Sequence, residues 1–75
     1  RAKKFGLGLM KNTIKVERAR QNLTQLDLAE KVQVSRQTIN SIEAGKYVPS
    51  TVLALKISKV FGVPVEDLFE LEEGD

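Results

Sequence analysis

Arg36, Gln37, Asn40, Ser41 and Ala44 lie, at helical spacing, opposite the side marked by Ile39 and Ile42. Only Arg36 of the five is charged. A helix surface selected for helicity and solubility alone would favour Glu, Lys, Arg and Ala, whereas Thr38, Asn40 and Ser41 are mediocre helix formers. Their chemistry gives another reason for their presence. Guanidinium, amide and hydroxyl groups are what base edges in a major groove pair with: Arg bidentately with guanine, Gln or Asn with adenine, Ser or Thr with either. The plainer alternative is a polar face that meets only solvent.

Such a face needs a helix held at a steep angle by a close neighbour. The run TQLDLAEKVQVSRQTINSIEAG, residues 24–45, supplies two helix starts eleven residues apart. Thr24 can cap a helix opening at Gln25 and Ser35 a second opening at Arg36, each cap contributing about 1 kcal/mol. Leu28, Ala29 and Val32 mark the apolar face of the first of these helices. Val32, Gln33 and Val34 are left to make the turn, which is the sequence form of a helix-turn-helix.

These residues resemble a known family. Gln25, Leu28, Ala29, Val34-Ser35, Arg36-Gln37-Thr38-Ile39, Ile42-Glu43 and Gly45-Lys46 are similar to the Cro/C1-type (XRE, phage-repressor) helix-turn-helix family. The similarity is colinear from about Asn12 to Phe69 and continues through Tyr47, Pro49-Ser50, Ala54-Leu55-Lys56, Phe61-Gly62-Val63 and Glu66-Asp67-Leu68-Phe69. It implies an all-α fold, a compact five-helix lambda-repressor-like DNA-binding domain whose second and third helices form the motif. The relatives it implies are small stand-alone transcriptional regulators, here expected to act as a repressor.

Composition fits one small domain. A chain of 75 residues buries only about 60% of its unfolded surface, so every helix must feed one core. There is no cysteine for a disulfide or thiolate metal site, and no histidine, the commonest general base and metal ligand. No metal and no cofactor is expected. No apolar run approaches the roughly 20 residues that span a bilayer and no segment is laid out as a signal peptide. The expectation is a soluble, cytoplasmic, nucleoid-associated protein without a membrane partner.

The net charge of +2 hides an asymmetry. Residues 10–59 hold nine Lys/Arg against four Asp/Glu, whereas from Glu66 onward there are six acids and no base. A polyanion is drawn to the body and repelled by the tail, unless the acids are simply a solvated terminus. The opening RAKKFGLGL, residues 1–9, reads as a disordered arm or a segment added for expression. Residues 10–71 are then the DNA-binding domain and 72–75 an acidic tail.

Outside the motif, a first helix is expected over Thr13–Gln21, ended by Asn22, which tolerates the left-handed conformation. A short N-terminal strand competes, because Asn12 to Val16 alternates in a strand-like way. Gly45 should end the recognition helix and Ser50 should cap a fourth, running to about Phe61 and ended by Gly62. Val52, Leu53, Leu55, Ile57, Val60 and Phe61 lie nearly all round it, which predicts the most buried helix, with Lys56 and Lys59 toward solvent. A last short helix, Val65 to Phe69, starts after Pro64 without a side-chain cap.

The resemblance also carries roles. Arg18 matches the family arginine that pairs with an acid of the recognition helix, here Glu43. Gln25 matches a glutamine that grips the DNA backbone, at a helix N-terminus whose free N–H groups and dipole suit phosphate. Arg36, Gln37, Thr38 and Ser41 are expected to read bases, and Gln25, Asn40, Lys46 and Tyr47 to contact phosphate, although the Tyr47 ring could instead pack in the core. Four departures stand out. Gln33 replaces the usual turn glycine, implying modest strain, and Ala44 replaces a polar residue, implying a weaker backbone contact. Glu17 stands where an aliphatic residue is usual, and Pro64 where a capping Ser is frequent.

Each good bidentate pair discriminates by only about 1–3 kcal/mol, so one 8-kDa unit gains specificity by pairing with a second. Two recognition helices about 34 Å apart on one face of duplex DNA read a palindrome. A homodimer through Val63, Val65, Leu68, Phe69 and Leu71 is expected, unless those five only close the monomer core. The alternative function is a protein-interaction module, an antitoxin or adaptor that reuses the fold. An enzyme is disfavoured: the chain has no His or Cys, no glycine-rich phosphate loop and no G-x-S-x-G. No small-molecule effector domain is expected.

Overall fold

The computed structural model describes residues 10–75, and the reading of residues 1–9 as an arm or added segment lies outside the described residues. The elements in chain order are β1 (Lys11–Asn12), α1 (Ile14–Arg20), α2 (Gln25–Val32), α3 (Arg36–Glu43), α4 (Thr51–Phe61), α5 (Val65–Leu68) and β2 (Phe69–Glu70). The five expected helices are present. A small antiparallel pairing joins β1 to β2 with Lys11 opposite Glu70 and Asn12 opposite Phe69.

Local chemistry sets the helix starts. The Thr24 hydroxyl accepts the Asp27 N–H at 2.9 Å and the Asp27 carboxylate accepts the Thr24 N–H at 2.9 Å, a reciprocal capping box. Ser35 accepts from the Thr38 N–H at 3.1 Å and Ser50 from the Leu53 N–H at 3.1 Å. Pro64 precedes α5 with no side-chain cap. The start of α1 differs from expectation: Thr13 makes no cap bond, and the Asn12 side-chain oxygen instead accepts the Ile14 N–H at 3.2 Å. The helix reading of this segment holds from Ile14, and the strand reading is corrected: Ile14 to Val16 are helical, and the two-residue strand that forms, Lys11–Asn12, lies almost entirely before the alternating stretch.

Helices α1 to α4 end alike, on a left-handed residue followed by an N–H that reaches back five residues. Asn22 (φ 56°), Gln33 (φ 66°), Gly45 (φ 74°) and Gly62 (φ 69°) hold that conformation. The closing bonds run from Leu23 to Arg18, Val34 to Ala29, Lys46 to Ser41 and Val63 to Ser58 at 2.9–3.2 Å, so helix-end carbonyls are satisfied. At Gln33 the cost of a side chain at positive φ is borne in the turn between α2 and α3, where glycine would be strain-free.

One core unites the helices: Ile14, Leu28, Ala29, Val32, Ile39, Ile42, Leu53, Ile57, Phe61, Leu68 and Phe69 are buried. Among the described residues no polar or charged side chain is fully buried. The helix α1 contributes only Ile14, so truncating that side chain to Ala would cost about 2–5 kcal/mol. The expectation that α4 is the most buried helix is corrected. Leu53, Ile57 and Phe61, four apart, face inward, while Val52 and Leu55 lie on the far side with 64% and 53% of their surface exposed. The last helix stops at Leu68, since Phe69 has extended backbone and pairs in β2.

Candidate nucleic-acid interface

The outer face of α3 is set by α2 and by the turn between them. Val32 and Val34 anchor the turn, Val32 in the core and Val34 against it, and the left-handed Gln33 reverses the chain. Arg36, Gln37, Asn40 and Ala44 are exposed, and Thr38 and Ser41 half-buried. The Thr38 hydroxyl is 2.9 Å from the Ser35 hydroxyl, so it supports the α3 cap as well as facing out. Gln37 and Ser41 have no intramolecular side-chain hydrogen bond among the described residues, which leaves their polar atoms for a partner. With Thr38, Lys46 and Tyr47 they line a shallow concavity of about 310 Å³. Tyr47, half-exposed, stands on this surface rather than in the core.

Charge on this face is one-sided. The single acid of α3, Glu43, is turned inward, where its carboxylate accepts from Arg18 Nε at 2.6 Å and Arg18 Nη2 at 3.0 Å. The side chains are only 14% and 8% exposed. A third Arg18 nitrogen donates to the Leu23 carbonyl at 3.0 Å, tying the pair to the end of α1. The hydrogen bond to Glu43 raises the Arg18 pKa above its ordinary value, so the guanidinium keeps its charge at any pH of interest. The outward surface of α3 thus presents Arg36 with no acid, and no acid sits in its first turn to oppose an approaching anion.

Gln25 links the two motif helices. Its amide nitrogen donates to Asn40 Oδ1 at 3.3 Å and to Glu43 at 3.2 Å, and its oxygen accepts from Arg36 Nη1 at 3.1 Å. Arg36 is therefore held toward α2, beside Asn40, while Gln37 and Ser41 lie on the Lys46–Tyr47 side. The capping box uses the Asp27 N–H at the start of α2 and brings a carboxylate there, which weakens the pull of that helix end on a phosphate. The free backbone N–H groups of Gln25 and Leu26 remain. Asn12 belongs to the same framework and went unnoticed in the sequence: its amide donates to the Ile42 carbonyl at 2.8 Å and fixes the C-terminal turn of α3 against β1. No local pattern signals a contact across thirty residues.

The five proposed dimer residues separate. Leu68 and Phe69 are buried and close the monomer core, Val63 and Val65 pack partly against it, and Leu71 is 74% exposed. Among the described residues no group of three His, Cys, Asp or Glu side chains could hold a metal ion. No helix among them is long and apolar enough to cross a membrane.

Two short helices, each with one face in the core and joined by the tight turn at Gln33, make a helix-turn-helix, and the sequence matches the helix-turn-helix family over residues 14–68. The chain belongs to that family, in its Cro/C1-type (XRE) branch. It is similar to an uncharacterised HTH-type transcriptional regulator of Methanocaldococcus jannaschii, 59% identical over 66 residues that cover 88% of this chain and 100% of that one. A second relative, the uncharacterised HTH-type transcriptional regulator YgzD of Bacillus subtilis, is 55% identical over 64 residues, 85% of this chain and 97% of that one. The fold is similar to the crystal structure of a putative DNA-binding protein from Bacteroides fragilis, with a TM-score of 0.73 and 31% identity over 81% of this chain and 98% of that one.

Proposed function

We propose that this chain is a sequence-specific, double-stranded-DNA-binding transcriptional regulator that lays α3 in the major groove. The observation that carries this is the surface of α3, whose single acid is paired inward with Arg18 while Arg36, Gln37 and Ser41 face out. Arg36, Gln37, Thr38 and Ser41 read base edges. Gln25, Asn40, Lys46 and Tyr47 set the helix on the phosphates, Gln25 by its backbone N–H and through its hold on Arg36. Residues 10–71 act as the DNA-binding unit. The six acids from Glu66 onward keep the opposite end away from the polyanion.

Two copies bind one palindromic operator as a homodimer in the cytoplasm, where occupation of the groove excludes other proteins and represses transcription. Neither a metal nor a cofactor enters this account, and neither does catalysis. Substituting Arg36 by Ala relaxes specificity at one base position by about 1–3 kcal/mol, whereas Lys46→Ala weakens all sequences alike and lowers the salt slope by about one unit. Titrations of cognate and scrambled duplexes at several salt concentrations check both. Equal losses on the two duplexes for both variants would overturn the division of labour.

A further inference from the structure

We propose that Asn12 is a positioning residue for DNA binding: it fixes the turn at the end of α3 and so sets where Lys46 and Tyr47 meet the phosphates. The inference rests on the reading above, in which those two residues contact the backbone and Arg36 reads a base. Facing α2, the recognition helix is held through side chains, Gln25 bonding Arg36 and Asn40. At its C-terminal turn the main chain itself is gripped, by the Asn12 amide on the Ile42 carbonyl at 2.8 Å. That carbonyl also accepts the Gly45 N–H at 3.0 Å, so both of its lone pairs are used where the chain leaves the helix. The next N–H, of Lys46, closes on the Ser41 carbonyl at 2.9 Å. The hold of Asn12 therefore acts at the root of the loop that carries Lys46 and Tyr47.

The chemistry of the site calls for an amide. Asn12 Oδ1 accepts the Ile14 N–H at 3.2 Å, which turns the amide nitrogen toward the Ile42 carbonyl and leaves one orientation in which both bonds form. An aspartate has no N–H to give, and a serine hydroxyl that accepts the Ile14 N–H is too short to reach Ile42 as well. Asn12 is itself anchored on the core. It pairs with Phe69 between β1 and β2, the adjacent Thr13 N–H donates to the Leu68 carbonyl at 2.9 Å, and Leu68 and Phe69 are both buried. A side chain such as Glu43 can follow a shifted turn by changing rotamer, whereas an amide pinned at both ends loses its bond when the turn moves. The segments before α1 and after α5 thus jointly brace the phosphate-facing loop.

Asn12→Ser keeps an acceptor for the Ile14 N–H, adds no charge and removes the bond to Ile42. Asn12→Ala removes both bonds, so the two variants separate the start of α1 from the hold on α3. Affinity is measured against salt concentration, on a duplex selected from a random pool and on a scrambled one, at a temperature where circular dichroism shows every variant folded. Asn12→Ser should lower the salt slope by about one unit, as Lys46→Ala does in the parent. Adding Lys46→Ala to Asn12→Ser should then cost about threefold less affinity than the same change in the parent, while the loss from Arg36→Ala is equal in both backgrounds. Asn12→Ala should show the same slope with a lower melting temperature. A role confined to stability would lower the melting temperature of Asn12→Ser and leave its salt slope and its response to Lys46→Ala at parental values, which would overturn the proposal. Equal coupling of Asn12 to Lys46 and to Arg36 would overturn it too. A parent whose salt slope is unmoved by Lys46→Ala would refute the phosphate assignment and the inference together, whereas additive losses in a parent that behaves as assigned refute the inference alone. The slope is read equally on the scrambled duplex, so a failure of base reading is seen separately.

Discussion

Removing Arg18 tests how the recognition helix is braced. Arg18 makes two bonds to Glu43, at 2.6 and 3.0 Å, and one to the Leu23 carbonyl at 3.0 Å, and both side chains of the ion pair are mostly shielded from water. In Arg18→Met the Glu43 carboxylate keeps only the Gln25 amide at 3.2 Å and remains largely desolvated. Breaking a buried pair costs about 3–5 kcal/mol, and the surviving amide bond reduces this loss to about 2–3 kcal/mol. That is a large part of the roughly 4–11 kcal/mol expected for a domain of this length. Replacing both partners, Arg18→Met with Glu43→Met, removes the unpaired charge and should return stability to within about 1 kcal/mol of the parent. Urea unfolding followed by far-UV circular dichroism measures the four corners of the cycle. A single variant costing under about 0.5 kcal/mol, or a double variant whose loss is the sum of the singles, would refute the reasoning.

Three further outcomes follow from the same geometry. Gln33→Gly relieves a left-handed side chain in the motif turn and loses only an exposed bond from Lys56, so the melting temperature should rise by about 2–5 °C; no rise, or a fall, counts against turn strain. The Asp27 pKa is lowered, first by the Thr24 backbone N–H and then by its hydroxyl. A carboxyl depressed in the folded state adds stability that is complete above its unfolded pKa and is lost as pH falls through its folded value. Asp27→Asn should therefore flatten the acid limb of the stability–pH curve and leave the neutral and alkaline limbs parallel; an unchanged acid limb would contradict the capping box. Gln25→Ala frees Arg36 and should reduce discrimination at the base it reads by up to about 1 kcal/mol, as measured with single-base operator variants. A loss equal at every position would instead assign Gln25 to the backbone alone.

The parts of this fold that a reader of the sequence recovers are those determined within a few residues. Thr24, Ser35 and Ser50 cap through bonds three positions away, and Asn22, Gly45 and Gly62 end helices by their own backbone conformations. Ile39 and Ile42 likewise fix which side of α3 faces inward. What escapes is set by partners far along the chain. A two-residue strand has no periodicity to detect, so the pairing of Lys11 with Glu70 leaves no local trace. The apolar residues around α4 do not say which of them the rest of the bundle covers, and Val52 and Leu55 prove uncovered. The polar face of α3 could be listed from spacing, but the grip of Gln25 on Arg36 and of Asn12 on Ile42 exists only after α2, β1 and α3 meet.

The central claim is that α3 reads base sequence. It is tested most directly by selecting bound sequences from a random duplex pool at near-physiological salt, then titrating the best against a scrambled duplex. The account predicts a palindromic consensus with half-sites about one helical turn apart and a preference above about 10³. Weak binding, equal on both duplexes and falling steeply with salt, would leave only phosphate attraction and contradict it.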